Sequence, residues 1–417
     1  HHHARPARSG DGVEARPGLR GVPRRPQHAR ALDDSPEWRA IAPRLDAPTV
    51  DDLFEIELQV AHAVDPTLDL PAARARVDAM VAAVRRTLPR RCDARCRVRA
   101  LNRHLFEARG FSAVSDPDRL YDDVRNDLLP HVVARESGYC VGLSHLYLTL
   151  ALRLGLDATV VPLRLHEFVR VTDERGAALD VDPTRNGEAP VTGAACAGAA
   201  PVFGRGLSRR AVAARTVALA GLAPGFAALG WLDAAVRLDD TDPDLFNNRG
   251  MHRLRWGDPA GALADLRRAS ALDPCTAVYG VNEAGVLWST GHPAEARARL
   301  DAVTRTSGPG MVVEVRRALM AYDDGRDAEA DATFTAALER WAGAPSILQA
   351  RAAVRLGQGR AADALRDVQA ALAVDDAAES YANVVLAAIE AGDVAAAEEA
   401  LVGLEARSPV AGSVDLH

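Results

Sequence analysis

The sequence predicts an α+β unit, helices with a small antiparallel sheet, followed by an all-α solenoid of paired helices. Three observations carry this. At 417 residues the chain is too long for one ordinary core. Apolar residues recur at helical spacing through the first half and then switch to alternation in "ATVVPLRLHEFVRVT" and "AALDVDPT". From about residue 207 one signature returns every 34 residues. The expected division is 1–36 as a disordered N-terminal segment, 37–185 as the α+β domain, 186–206 as a linker and 207–417 as the repeats.

Composition removes several function classes. Hydrophobic residues make up 48% and charged residues 26%, as in a globular protein, and the net charge of -7 gives no electrostatic footprint for nucleic acid. Residues 1–36 are rich in Arg, Pro and Gly without an apolar segment, so they are expected to be neither signal peptide nor core. The charge-free stretch Thr216 to Leu232 carries Pro224 and several glycines, which argues against a membrane span. Five cysteines, at 92, 96, 140, 196 and 275, form an odd set without a paired framework, so a reduced, cytoplasmic setting is expected. Cys92 and Cys96 share a helix face, but no second pair accompanies them and no zinc site is expected.

Through the first domain the elements follow in order. "VDDLFEIELQVAHAV" and "AARARVDAMVAAVRRTL" are amphipathic helices punctuated by Pro66 and Pro71. After "ESGYC" the run from Val141 to Leu154 is a buried helix, stopped by Gly155. A hairpin follows with its turn at "DERG". Centring that turn on Glu174, with Thr172 opposite Gly176, makes a three-residue loop and places His166 opposite Asp182 on one face of the sheet.

Cys140 then stands at a helix start, where unpaired N–H groups and the helix dipole favour thiolate over thiol. Cys140, His166 and Asp182 are the candidate nucleophile, base and orienting group. Asp180, of the same strand parity, is a rival for the third role. The Cys140 N–H supplies one oxyanion donor, with Tyr139 and Asn126 as candidates for a second. No metal or organic cofactor is expected, since His145 and His131 lack ligand spacing relative to Cys140.

The stretch from "ALNRHLFEARG" through "ESGYCVGLSHLYLTLALRLGL" and "VVPLRLHEFVRV" to "LDVDPTRNG" resembles the transglutaminase-like superfamily, most closely its bacterial SirB-type branch, over about 51–187. That resemblance implies a papain-like Cys, His and Asp at Cys140, His166 and Asp182, and it matches "RND" at Arg125 to Asp127 to a shared element before the nucleophile. The segment before the histidine usually reads "PGH" in such proteins, whereas here it reads "RLH", with an added charge at Arg164.

The second half repeats. Gly257, Gly291, Gly325 and Gly359 are 34 apart, each followed by a small residue (Ala262, Ala296, Ala330, Ala364) and a large one (Leu266, Leu300, Phe334, Val368); the register slips by one at Gly392, Ala397 and Leu401. A degenerate earlier unit fits Ala228, Leu232 and Ala235. Glycine ends one helix and alanine lets the next approach. These residues resemble the tetratricopeptide repeat over about 207–407, and such repeats imply a concave groove for a protein or peptide. Asn248, Asn282 and Asn383 occupy equivalent places, most simply as residues satisfied within the repeat.

Together these readings imply a thiol acyl-transfer enzyme whose repeats recruit a protein or peptide substrate, or else a non-catalytic adaptor built on the same architecture. All 50 basic residues are arginine, so the chain cannot be its own lysine acceptor. Nothing in the sequence fixes the oligomeric state.

Overall fold

A computed structural model describes residues 32–114, 123–191, 203–223, 228–374 and 378–407. Residues 1–31 of the expected N-terminal segment, residues 192–202 of the expected linker with Cys196, and Pro224 lie outside the described residues.

The first domain opens with α1 (Pro36–Ile41), α2 (Val50–Val64), α3 (Leu70–Thr87) and α4 (Ala94–Asn102). Ser35, Thr49, Asp69 and Asp93 cap these four starts, and Thr49 with Asp52 closes a reciprocal capping box. Two short strands, β1 (Ser112–Ala113) and β2 (Ser137–Gly138), pair in parallel on either side of α5 (Leu129–Arg135). Apolar around most of its circumference, α6 (Cys140–Arg153) is buried against β3 (Asp157–Leu163) and β4 (His166–Thr172). With β5 (Ala178–Val181) these strands form an antiparallel sheet in the order β3-β4-β5.

The β4–β5 register differs by two residues from the expected one. Thr172 pairs with Ala178 and Val169 with Val181. The loop does have three residues with Gly176 at φ +79°, but its centre is Arg175, because Asp173 N donates to Ala177 O at 2.9 Å and the Asp173 carboxylate accepts from Arg175 N and Ala177 N. An even shift preserves the face. His166 and Asp182 are therefore diagonal neighbours rather than directly opposed.

The cysteine expectation is corrected as well. Cys92 and Cys96 form a disulfide with Cα atoms 5.2 Å apart, and Cys275 is disulfide-bonded too. Asp93 is an extended N-cap (φ −74°, ψ 179°), so Cys92 lies off the helix and can fold back over its first turn instead of sharing a face. The argument from unpaired cysteines to a reducing compartment falls with this bond. Among the described residues no helix is long and apolar enough to cross a membrane.

Helices then follow in pairs: α7 (Arg209–Leu222) with α8 (Ala228–Leu238), α9 (Pro243–Arg255) with α10 (Pro259–Leu272), and α11 (Ala277–Ser289) with α12 (Pro293–Ser307). Next come α13 (Met311–Asp323) with α14 (Asp327–Arg340), α15 (Pro345–Gly357) with α16 (Ala361–Leu372), and α17 (Ala378–Ala391) with α18 (Val394–Arg407). The turn glycines that recur in the sequence all have φ between +72° and +83°, and the residue after each donates back across the helix end, as Asp258 N does to Arg253 O at 2.9 Å. Ala262, Ala296, Ala330 and Ala364 are each 0% exposed. In the last unit Leu401 is 45% exposed, because no described helix pair follows to cover it.

Acid–arginine pairs 16 residues apart tie neighbouring helices along the array, among them Arg249–Asp265, Glu283–Arg299, Asp301–Arg317 and Arg351–Asp367. The two halves share one apolar core that runs from Ile41 on α1 to Tyr279 on α11, with α7 packed on α2. Leu207 N donates to Val160 O at 2.9 Å, so the approach to α7 also lies along β3.

Candidate functional site

Cys140 is the first residue of α6, half-buried and a thiol rather than half of a disulfide. The side chain of the N-cap residue, Tyr139, makes no cap hydrogen bond; the first turn is capped from the "RND" element, where Asp127 Oδ1 accepts from Gly142 N at 3.2 Å. Tyr139 N donates to Asn126 O at 3.0 Å. This contact explains the glycines around the cysteine. A Cβ on Gly142 would stand 2.4 Å from Asn126 O, and one on Gly138 2.7 Å from the same atom. Burial pushes the Asp127 carboxyl up to about 7; the Gly142 N–H and His145 oppose that, while Glu167 and Asp123 add to it.

The stripe of α6 that carries Cys140 faces β4. Ser144, one turn further along the helix, donates from Oγ to Glu167 O at 3.3 Å, and His166 precedes Glu167 at the start of that strand. His166 Nε2 and Asp182 Oδ2 are 2.8 Å apart. A proton on Nε2, donated to the carboxylate, leaves Nδ1 as the basic nitrogen. Asp182 lies just past β5 as the N-cap of a short 3-10 turn (Pro183–Arg185), and its Oδ1 accepts from Thr184 N at 3.0 Å and Thr184 Oγ1 at 2.7 Å. Burial alone would raise its pKa, but the hydrogen bonds from His166 and Thr184 outweigh it and hold the carboxyl below the usual range.

The rival Asp180 is bound at both oxygens by Arg170, at 2.6 and 2.8 Å, as a cross-strand pair. The Tyr139 N–H is engaged by Asn126 O, and Asn126 Oδ1 accepts from Arg135 at 2.7 Å. His131 stands 3.2 Å from Asp65 and His145 2.6 Å from Glu57. In the repeats Asn282 donates to Asn247 Oδ1 at 2.9 Å, and Asn247 lies 3.4 Å from Asn248 Oδ1, a ladder between successive units.

Behind the site lies a buried charge network that the sequence reading missed. His145 Nδ1 meets Glu57 Oε1, which also accepts from Thr216 Oγ1 at 2.7 Å, and His145 Nε2 is 3.6 Å from Glu167. Arg215 on α7 lies 3.4 Å from Glu167, 2.8 Å from Asp242 and 3.3 Å from Asp244, and Tyr279 donates to Asp244 at 2.5 Å. Burial would discharge His145, but Glu57, Glu167 and Asp127 raise its pKa to about 9. The signal available in sequence was weak: charged residues inside the apolar runs "LFEIELQV" and "GLSHLYL".

A second link starts two residues before His166. Arg164 lies 3.3 Å from Asp273, the fully buried C-cap residue of α10, and its guanidinium sits 5.8 Å from the Phe203 ring centre. The next residue, Leu165, has φ +56°. A non-glycine residue there is strained by about 1–2 kcal/mol.

A family model described as the transglutaminase-like superfamily matches residues 71–197. A curated relative, a UPF0162 protein of Xylella fastidiosa, is 27% identical over 58% of this chain and 90% of its own length. Among solved structures, that of PilW, a widely conserved type IV pilus biogenesis factor, is 18% identical with a TM-score of 0.35, covering 44% of this chain and 86% of its own. Yeast Tom70 is 12% identical with a TM-score of 0.41, covering 48% and 45%.

Proposed function

From a chain that carries a transglutaminase-like domain followed by tetratricopeptide-type helical repeats, we propose a cysteine-dependent acyl-transfer enzyme of the SirB-type branch, with Cys140 as nucleophile, His166 as base and Asp182 as its orienting group. The observation that carries this reading is the His166–Asp182 hydrogen bond, closed by Thr184 on the other carboxylate oxygen. A carboxylate held on both sides fixes the ring and its tautomer, which an incidental surface histidine does not require.

The Cys140 sulfur attacks an amide carbonyl and the C–N bond breaks as His166 passes a proton to the departing amine, leaving a thioester. Water or an external amine resolves it; with no lysine in the chain, a lysine acceptor comes from another molecule. The helix start favours the thiolate, and in this reading the Cys140 N–H serves as an oxyanion donor. The repeats bind the protein or peptide that carries the amide.

The test is the pH dependence of Cys140 alkylation by iodoacetamide, followed by mass spectrometry. The wild type is expected to react well below the ordinary thiol range of about 8.5, and His166→Ala to shift the profile up toward it. Superimposable profiles would leave the adaptor reading, in which the repeats alone act.

A further inference from the structure

The β3–β4 turn has two residues, Arg164 and Leu165, between the paired Leu163 and His166. Arg164 is turned away to Asp273 and Phe203, which ties this turn to the repeats. Leu165 does the opposite. Its side chain is 57% exposed although its backbone occupies the left-handed region, where glycine costs nothing and a branched apolar residue is strained. Neither burial nor backbone preference accounts for a leucine here.

Exposed large apolar side chains are rare in this domain. Among the described residues of 32–191 they are Leu165 and Val191, the latter 68% exposed. In the chain Leu165 directly precedes His166, and Val191 stands three residues after Glu188, which bridges to Asp182. An apolar group exposed at this place, at a cost in backbone strain, is what a site needs to select its substrate by desolvation.

We infer that Leu165 is a specificity-determining residue, forming an apolar lip that selects acyl donors with an apolar side chain beside the attacked carbonyl. The inference rests on the acyl-transfer reading and deepens it. The turn is anchored through Arg164, so the lip is held at a fixed place relative to His166. Polar or small acyl donors leave it in water and gain nothing from it.

Two electrophiles with one reactive group test this on the full chain: iodoacetamide and N-benzyl-iodoacetamide, each followed at Cys140 by mass spectrometry. The wild type is expected to favour the benzyl probe. Leu165→Gly and Leu165→Asn both suit the left-handed backbone, so both should keep the wild-type Tm or exceed it. In each the ratio of benzyl to parent rate constants should fall about tenfold. A ratio unchanged in either folded variant overturns the inference. His166→Ala acts on both rate constants together, so failure of the acyl-transfer reading shows in absolute rates that ignore His166, and failure of the lip shows in the ratio.

Discussion

The repeats and the ground beneath Cys140 are held by contacts of opposite kinds. In the repeats, partners sit 16 residues apart and the motif recurs along the array, so each loss is local. Around the site the partners are 88 residues apart for Glu57 and His145, 159 for Glu57 and Thr216, and 109 for Arg164 and Asp273. None of these recurs. A single substitution in the seam should therefore reach both halves, whereas one in the array should not.

Arg215 offers the hardest break. It faces Glu167 across the seam and Asp242 and Asp244 within the repeats, and replacing it by Met takes a cation from the buried Glu167 and Asp242 carboxylates. A loss of about 3–5 kcal/mol is expected in denaturant unfolding, because an uncompensated buried charge costs more than the pair contributes. The unfolding of both halves should shift together, and separate transitions would contradict a shared core.

The same seam sets a pH dependence. The His145 pKa is about 9 in the fold against about 6.5 unfolded, so between those values the folded state holds the extra proton and stability falls as pH rises. About 3 kcal/mol is fully present below pH 6.5 and lost by the time pH passes 9. Unfolding midpoints across that window should decline in the wild type, and His145→Gln should flatten the slope. A flat wild-type profile would contradict a protonated His145.

Glycines separate the regions again. Gly142→Ala forces a Cβ to within 2.4 Å of the Asn126 carbonyl, and that backbone also supplies the Asp127 cap. A cost of about 1–3 kcal/mol is expected, together with slower Cys140 alkylation as the helix start is displaced. Gly359→Ala meets no atom within 4 Å and is strained only by its φ of +75°. It should cost about 1 kcal/mol and leave Cys140 alkylation alone.

What the sequence revealed follows the same division. Period and turn chemistry are local, so the glycines, the alanine contacts and the slip at Gly392 could be read directly. His166 and Asp182 were legible because strand parity survives an even error in register: the turn was placed one residue early, yet the two side chains still meet. Asp127 was visible only as part of "RND", since its partner Gly142 is a backbone N–H with no side chain to mark it. Glu57, Glu167 and Arg215 stayed hidden because each is explained by residues on other elements. The Cys92–Cys96 bond stays hidden because an i, i+4 spacing suggests continuous helix, and Asp93 interrupts it.

The smallest expected effect separates two pairs that look identical as a pattern. Arg249–Asp265 and Asp301–Arg317 both span 16 residues between neighbouring helices. Burial distinguishes them: the Arg249 and Asp265 side chains are 14% and 5% exposed, those of Arg317 and Asp301 35% and 53%. Asp265 also receives Arg253, so its charge is desolvated and shared between two guanidinium groups. Removing Arg249 should cost about 2 kcal/mol, since a buried hydrogen-bonded carboxylate loses its bidentate partner. Arg317→Ala should cost less than about 1 kcal/mol and fade further in high salt, because the pair gains little over water. Double-mutant cycles on the two pairs measure this directly. Equal coupling energies would mean that the spacing itself, and not the desolvation of the acid, decides what such a pair contributes to the array.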